Sequence, residues 1–175
     1  MTLPLRTHFL TFARYHVWAT RRLLNDHVAA LPEADYRRDC GLFFKGIHGT
    51  LNHLLVGEHL LWFSRFAQGV SPGGVALDAE AETDRAALSE RLIASAHAWG
   101  PFIEALPEDR FASAFSYTSS KGVPVTAPYA ATLAHVFNHA THHRGQITAA
   151  LTMLGHPCPE LDLIYMLQAE RERQQ

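Results

Sequence analysis

From about Leu5 to Ala30 the apolar residues Phe9, Phe12, Ala13, Val17, Leu23, Leu24 and Val28 recur at helical spacing, and Leu31-Pro32 supplies a stop. A second stretch, about Leu42 to Phe66, is apolar nearly all round: Ile47, Leu51, Leu54, Leu55, Val56, Leu60, Leu61, Trp62, Phe63 and Phe66 leave no polar face. Such a helix is expected to be surrounded by others. Gln68 to Ala79, with Gly69, Pro72, Gly73 and Gly74, reads as a loop, and Thr83 to Leu106 returns to helical spacing with a kink expected at Gly100-Pro101. Between Pro107 and Pro128 the pattern changes. Phe111, Phe115, Tyr117, Val123 and Val125 bracket Ser119-Ser120-Lys121-Gly122, which predicts a short hairpin or ordered loop. Pro128 is placed to open a fourth helix that runs to about Leu154, where Gly155-His156-Pro157 ends it, and a short helix from Leu161 to about Glu170 follows.

These elements predict an all-α fold of four long helices with small additions. A chain of 175 residues lies in the size range of one domain, and no repeat or long linker divides it. With 15 Lys plus Arg against 17 Asp plus Glu, the net charge of -2 gives no basic stripe for tracking phosphates, so nucleic acid is not an expected partner. Pro4, Arg6, His8, Arg14 and His16 interrupt the opening residues, so an export signal is not expected, and no run approaches the roughly 20 apolar residues of a membrane span. Cys40 and Cys158 lie far apart and outside any CxxC pair, which fits a reducing cytoplasm and a structural role for both.

The compositional oddity is 12 histidines, several of them crowded into short windows. In HVFNHATHHRGQI, His135 with His139 and His139 with His143 are both spaced at i,i+4, one turn apart on a helix face, the spacing of paired metal ligands. Rotation about the helix separates the two pairs. At about 100° per residue, the apolar group Leu133, Val136, Ala140, Ile147, Leu151 and Leu154 fills an arc centred roughly 90° to one side of His139. His143 lies on that side, while His135 and His142 lie on the other, so the bundle-facing pair is His139 with His143. Catalytic metal sites normally use about three protein ligands. The second helix offers His48, His53 and His59, pointing in three directions, and Cys40, Glu58 and Cys158 are other conceivable donors. Spacing alone leaves this third ligand open.

The segment IHGTLNHLLVGEHLLW, followed about eighty residues later by HVFNHATHHRGQI, resembles the paired signature of the DinB/YfiT family of small metalloproteins. The family pattern is a histidine in an apolar helix and a later helix reading N-H-x-x-x-H-R-G-Q, here His53, then Asn138, His139, His143, Arg144, Gly145 and Gln146. The resemblance implies a four-helix bundle with a crossover connection, a homodimer, and a zinc, nickel or iron ion held by His53, His139 and His143. Several members of that family are thiol-dependent transferases or isomerases, and its name derives from damage-inducible genes.

Three neutral imidazoles leave a divalent ion strongly electron-withdrawing, able to lower the pKa of a bound water or thiol. The expected activity is therefore metal-dependent chemistry on a small molecule, most concretely S-transfer from a low-molecular-weight thiol. The alternative is a non-catalytic metal-binding or stress-response protein. Asn138, His142 and Gln146 are candidates to orient the ligand rings, and Glu58, in an apolar arc, is expected to pair with a cation such as Arg144.

Overall fold

The computed structural model describes residues 4–173 and 175. The chain is mostly helical with one small two-stranded sheet. Helix α1 (Leu5–Leu23) runs on into a wider turn, Leu24–Val28, where the Ala29 N–H reaches back five residues to Leu24 O. A single turn, α2 (Glu33–Tyr36), follows. Helix α3 (Ile47–Leu54) begins about five residues later than the apolar pattern suggests. Leu42 and Lys45 close a tight turn in which Lys45 adopts a φ of 68°, so helical backbone cannot start there. Gly46 then passes so close to the Arg38 carbonyl that a Cβ would lie 2.0 Å from its oxygen.

From Leu55 to Gln68 the same helix continues with wider turns, whose hydrogen bonds span five residues, as from Gly69 N–H to Ser64 O. Helix α4 (Arg85–Glu104) is opened by Asp84, whose carboxylate accepts from Ala87 N–H at 2.8 Å, and it carries Pro101 within its last turns. A 3-10 turn, Glu108–Ala112, leads to strands β1 (Ala114–Thr118) and β2 (Pro124–Pro128), an antiparallel hairpin that pairs Ser116 with Thr126. This is the predicted hairpin. Helix α5 (Tyr129–Met153) starts one residue after Pro128, which ends β2, and stops where Gly155 takes a φ of 78° and His156 N–H returns to Leu151 O. The terminal helix α6 (Leu163–Glu172) lies about two residues further on than its apolar pattern suggests.

Helices α1 and α3 each pack against both α4 and α5. Two large apolar clusters fill the interior, and a smaller one, Tyr15, Ala19 and Met166, ties α6 to α1. One of the large clusters joins Leu23, Leu24, Ile47, Leu51, Leu54, Leu88, Leu92, Ile147 and Leu151. The other is aromatic, with Phe9, Phe66, Trp99, Phe111, Phe115, Tyr129 and Phe137, and in it Phe66 stacks on Phe115 of the hairpin at 4.2 Å. Full burial of each such side chain is worth on the order of 2 kcal/mol. Between the two large clusters lies a polar belt. On α1 it is His16, on the α3 extension Glu58, and on α5 His143 and Arg144, all of them buried.

Candidate metal centre

His53 leaves the last turn of α3 two residues before the wide turns begin, and His139 and His143 project from successive turns of α5. The three side chains meet. His139 Nε2 lies 3.1 Å from His53 Nε2 and 3.1 Å from His143 Nε2, and one nitrogen from each ring falls within 4.8 Å of the others. Three nitrogens about 2.0–2.1 Å from a tetrahedral ion stand roughly 3.3 Å apart, so the spacing is one that can hold a metal. His53 and His143 are 4% and 6% exposed, whereas His139 is half-buried.

What each ring does with its other nitrogen decides where its lone pair points. His53 Nδ1 donates to Leu77 O at 2.8 Å, and the ring is stacked on Phe44 with centroids 3.7 Å apart. His143 Nδ1 donates to Gln146 Oε1 at 2.8 Å, and the amide is oriented in turn because its Nε2 donates to His142 Nε2 at 3.2 Å. His139 Nδ1 faces Glu58 Oε1 at 3.8 Å. With every Nδ1 turned to an oxygen, three Nε2 lone pairs converge, an arrangement that repels itself unless a proton or a metal cation lies among them. The donor set and its supports therefore fit a borderline-soft divalent ion.

The remaining predicted residues divide. Gln146 orients His143 as expected, and His142 acts one step further out. Asn138 is exposed on another face of α5, where it lines a cavity with His8, Phe12 and Asp162, so it supports no ligand. His135 is exposed and lies against Trp62. His48 serves the fold, bridging Tyr36 OH and Glu80 Oε1. Cys40 and Cys158 are free thiols outside the cluster.

Glu58 does not meet Arg144 directly. His16 stands between them, bonded to Glu58 Oε2 at 3.2 Å and to Arg144 Nη1 at 3.0 Å. Burial pushes the Glu58 carboxyl up. The adjoining His16, the facing His139 and the Arg144 charge beyond them outweigh it and keep the carboxyl below the usual carboxylate range.

Sequence reasoning missed three contributors. His16 falls in the buried series Phe9, Ala13, His16, Thr20, Leu23 of α1, a helical spacing that could have exposed it. Gly57 stands beside the trio, where a Cβ would lie 3.4 Å from His139 Cε1 and 4.0 Å from His53 Nε2, so its hydrogen leaves that side of the site clear. Leu77 is placed by Asn52, which accepts from Glu82 N–H at 2.9 Å and donates to Glu82 O at 3.0 Å, pinning the loop after the α3 extension. No local pattern marks a loop carbonyl as a histidine acceptor.

Burial holds His53 below the ordinary imidazole value and takes His143 down to about 4. Unfolded imidazoles titrate at about 6.5. These groups therefore contribute stability that is fully present above that value and is lost as pH falls toward the folded one, because the unfolded chain binds more protons in the interval. The metal-free protein is expected to lose on the order of 2 kcal/mol of unfolding free energy between pH 7 and pH 4. Denaturant midpoints measure it, and a midpoint that does not move would mean that the two rings are not buried in neutral form.

A mostly helical chain with a buried cluster of three histidines able to hold a metal ion is the class that fold and site define. The chain belongs to the DinB family, whose sequence profile it matches over residues 5–174. It is similar to Protein DinB of Bacillus subtilis (strain 168), with 25% identity over 172 residues that cover 91% of this chain and 94% of that protein. No solved structure matches it. Among the described residues, no helix is long and apolar enough to cross a membrane.

Proposed function

We propose that this protein is a divalent-metal-dependent enzyme acting on a small molecule, with His53, His139 and His143 as ligands and thiol S-transfer as its most concrete reaction. The observation that carries the reading is the convergence of three Nε2 atoms, 3.1 Å apart in two pairs, with every Nδ1 turned to an oxygen. A zinc, nickel or iron ion at this point supplies Lewis acidity that favours thiolate or hydroxide near neutral pH. The chain's own part is to hold the ligands and shape the approach. Phe44 and Leu77 O clamp His53, Gln146 fixes His143, and Gly57 keeps the flank beside His139 open.

The packing of α1 and α3 against both α4 and α5 supports a four-helix bundle in which the chain crosses diagonally from α1 to α3, with residues 1–175 forming one domain. A homodimer in the cytoplasm completes the reading, by family likeness.

Protein purified without a histidine tag is expected to carry metal, and free zinc at about a thousand times its Kd should add about 4 kcal/mol of stability. For a chain of this length that is a rise in Tm of roughly 8–16 °C. Incubation with metal, a small thiol and an epoxide or chlorinated aromatic should then give metal-dependent adduct. Adduct formation no faster than with the His143→Ala variant would overturn the transferase reading. A second reading, a non-catalytic metal-binding or stress-response protein, is favoured by the deep burial of His53 and His143, and it expects the same metal uptake with no reaction.

A further inference from the structure

Behind the trio a second buried assembly reaches helix α1. Arg144 Nη1 donates to His16 Nδ1 at 3.0 Å, His16 Nε2 lies 3.2 Å from Glu58 Oε2, and Glu58 Oε1 faces His139 Nδ1 at 3.8 Å. Arg144, His16 and Glu58 are 3%, 4% and 4% exposed. The direction of the line is forced. A guanidinium only donates, so His16 Nδ1 accepts and the His16 proton sits on Nε2, where its acceptor is Glu58. The other Glu58 oxygen and His139 Nδ1 are both buried without a hydrogen-bond partner among the described residues, and they face each other too closely for a water to stand between.

A plain structural ion pair would bring Arg144 onto the carboxylate with its planar fork. Instead a ring is interposed, and the carboxylate's free oxygen is aimed at a member of the trio. His53 and His143 have their own acceptors in Leu77 and Gln146, whereas the oxygen facing His139 Nδ1, at 3.8 Å, is Glu58 Oε1, which brings the negative charge that three neutral imidazoles lack. Beside the line lies a cavity of about 10 Å³, bordered by Thr20, Leu24, Leu54 and Leu92, which is room for about one water. The buried Arg144 Nε, which has no partner, belongs to a residue lining it.

The geometry points to a positioning relay in which Arg144 and His16 hold Glu58 so that His139 keeps its proton on Nδ1 and turns its Nε2 lone pair into the site, tying metal affinity to helix α1. The relay rests on the reading of the trio as a metal centre. His16 touches none of the three rings' Nε2 atoms and acts through Glu58 alone.

Long-range proton–nitrogen NMR of the wild-type chain, with and without zinc, should show His16 protonated on Nε2 and His139 on Nδ1. Zinc affinity, read by competition with a chromophoric chelator, should fall about tenfold in His16→Leu and roughly 10–100-fold in Glu58→Gln. His16→Gln, which keeps one donor and one acceptor on the side chain, should recover most of the loss. The visible spectrum of the cobalt-loaded protein should change in His16→Leu and return in His16→Gln. In a Glu58→Gln background, His16→Leu should cost nothing further. A His16 proton on Nδ1, or an equal His16→Leu penalty in both backgrounds, overturns the relay while the metal site stands. Failure of the wild-type chain to take up zinc overturns both.

Discussion

Replacing His139 with alanine is expected to weaken zinc binding by about two to three orders of magnitude while leaving the helical content unchanged. A structural zinc site is worth roughly 10–16 kcal/mol, so one ligand of about four carries roughly 2.5–4 kcal/mol of it. At about 1.4 kcal/mol per factor of ten, that is a loss of about two to three orders of magnitude in affinity. His139 is the nitrogen common to both 3.1 Å pairs, so no other single change disperses the cluster as completely. The control lies one turn away on the same helix. His135 has the same i,i+4 relation to His139 but is exposed against Trp62, so His135→Ala should leave the affinity within severalfold of wild type. Equal losses at His135 and His143, measured by the same chelator competition, would contradict His139 with His143 as the ligand pair.

The largest loss of stability is expected at Arg144. Arg144→Ala removes the cation that, through His16, compensates the buried Glu58 carboxylate, and an uncompensated buried charge costs about 3–5 kcal/mol. Glu58 is held below its ordinary value in the wild-type fold, so its contribution is present above the unfolded carboxylate value and fades as pH falls through the folded one. Without Arg144 the carboxyl takes up its proton more readily, and the difference between wild type and variant should narrow in acid. Chemical denaturation of the metal-free proteins at pH 7 and pH 4 measures both quantities. A gap as wide at pH 4 as at pH 7 would mean that the loss comes from packing of the arginine stem rather than from charge.

The long helices are legible in the sequence because their apolar residues repeat with the helical period and Pro and Gly punctuate them, as Pro128 and Gly155 do around α5. Their ends are less so. The late start of α3 depends on a turn in which Lys45 takes a positive φ, a conformation that no residue type there announces. In the site, the choice of His139 with His143 follows from rotation about one helix, since the apolar arc of α5 turns His143 inward and His135 outward. The third ring is different. His48, His53 and His59 differ in surroundings that arise only when α3 meets α5 and the loop bearing Leu77 folds over, so their own helix cannot rank them, and the family pattern was needed to single out His53. For the same reason Asn138, part of the same motif, gave no clue that it faces away from the trio. His16 shows the converse, a polar residue in a buried series that only tertiary contact explains.

Anomalous diffraction from crystals of untagged protein, recorded across the iron, nickel and zinc absorption edges, addresses the convergence of imidazoles most directly. The expected result is one peak about 2.0–2.1 Å from Nε2 of His53, His139 and His143 alike. A metal-replete crystal with its peak elsewhere, or with His53 turned away from the ion, would contradict the assignment of this trio as the metal centre.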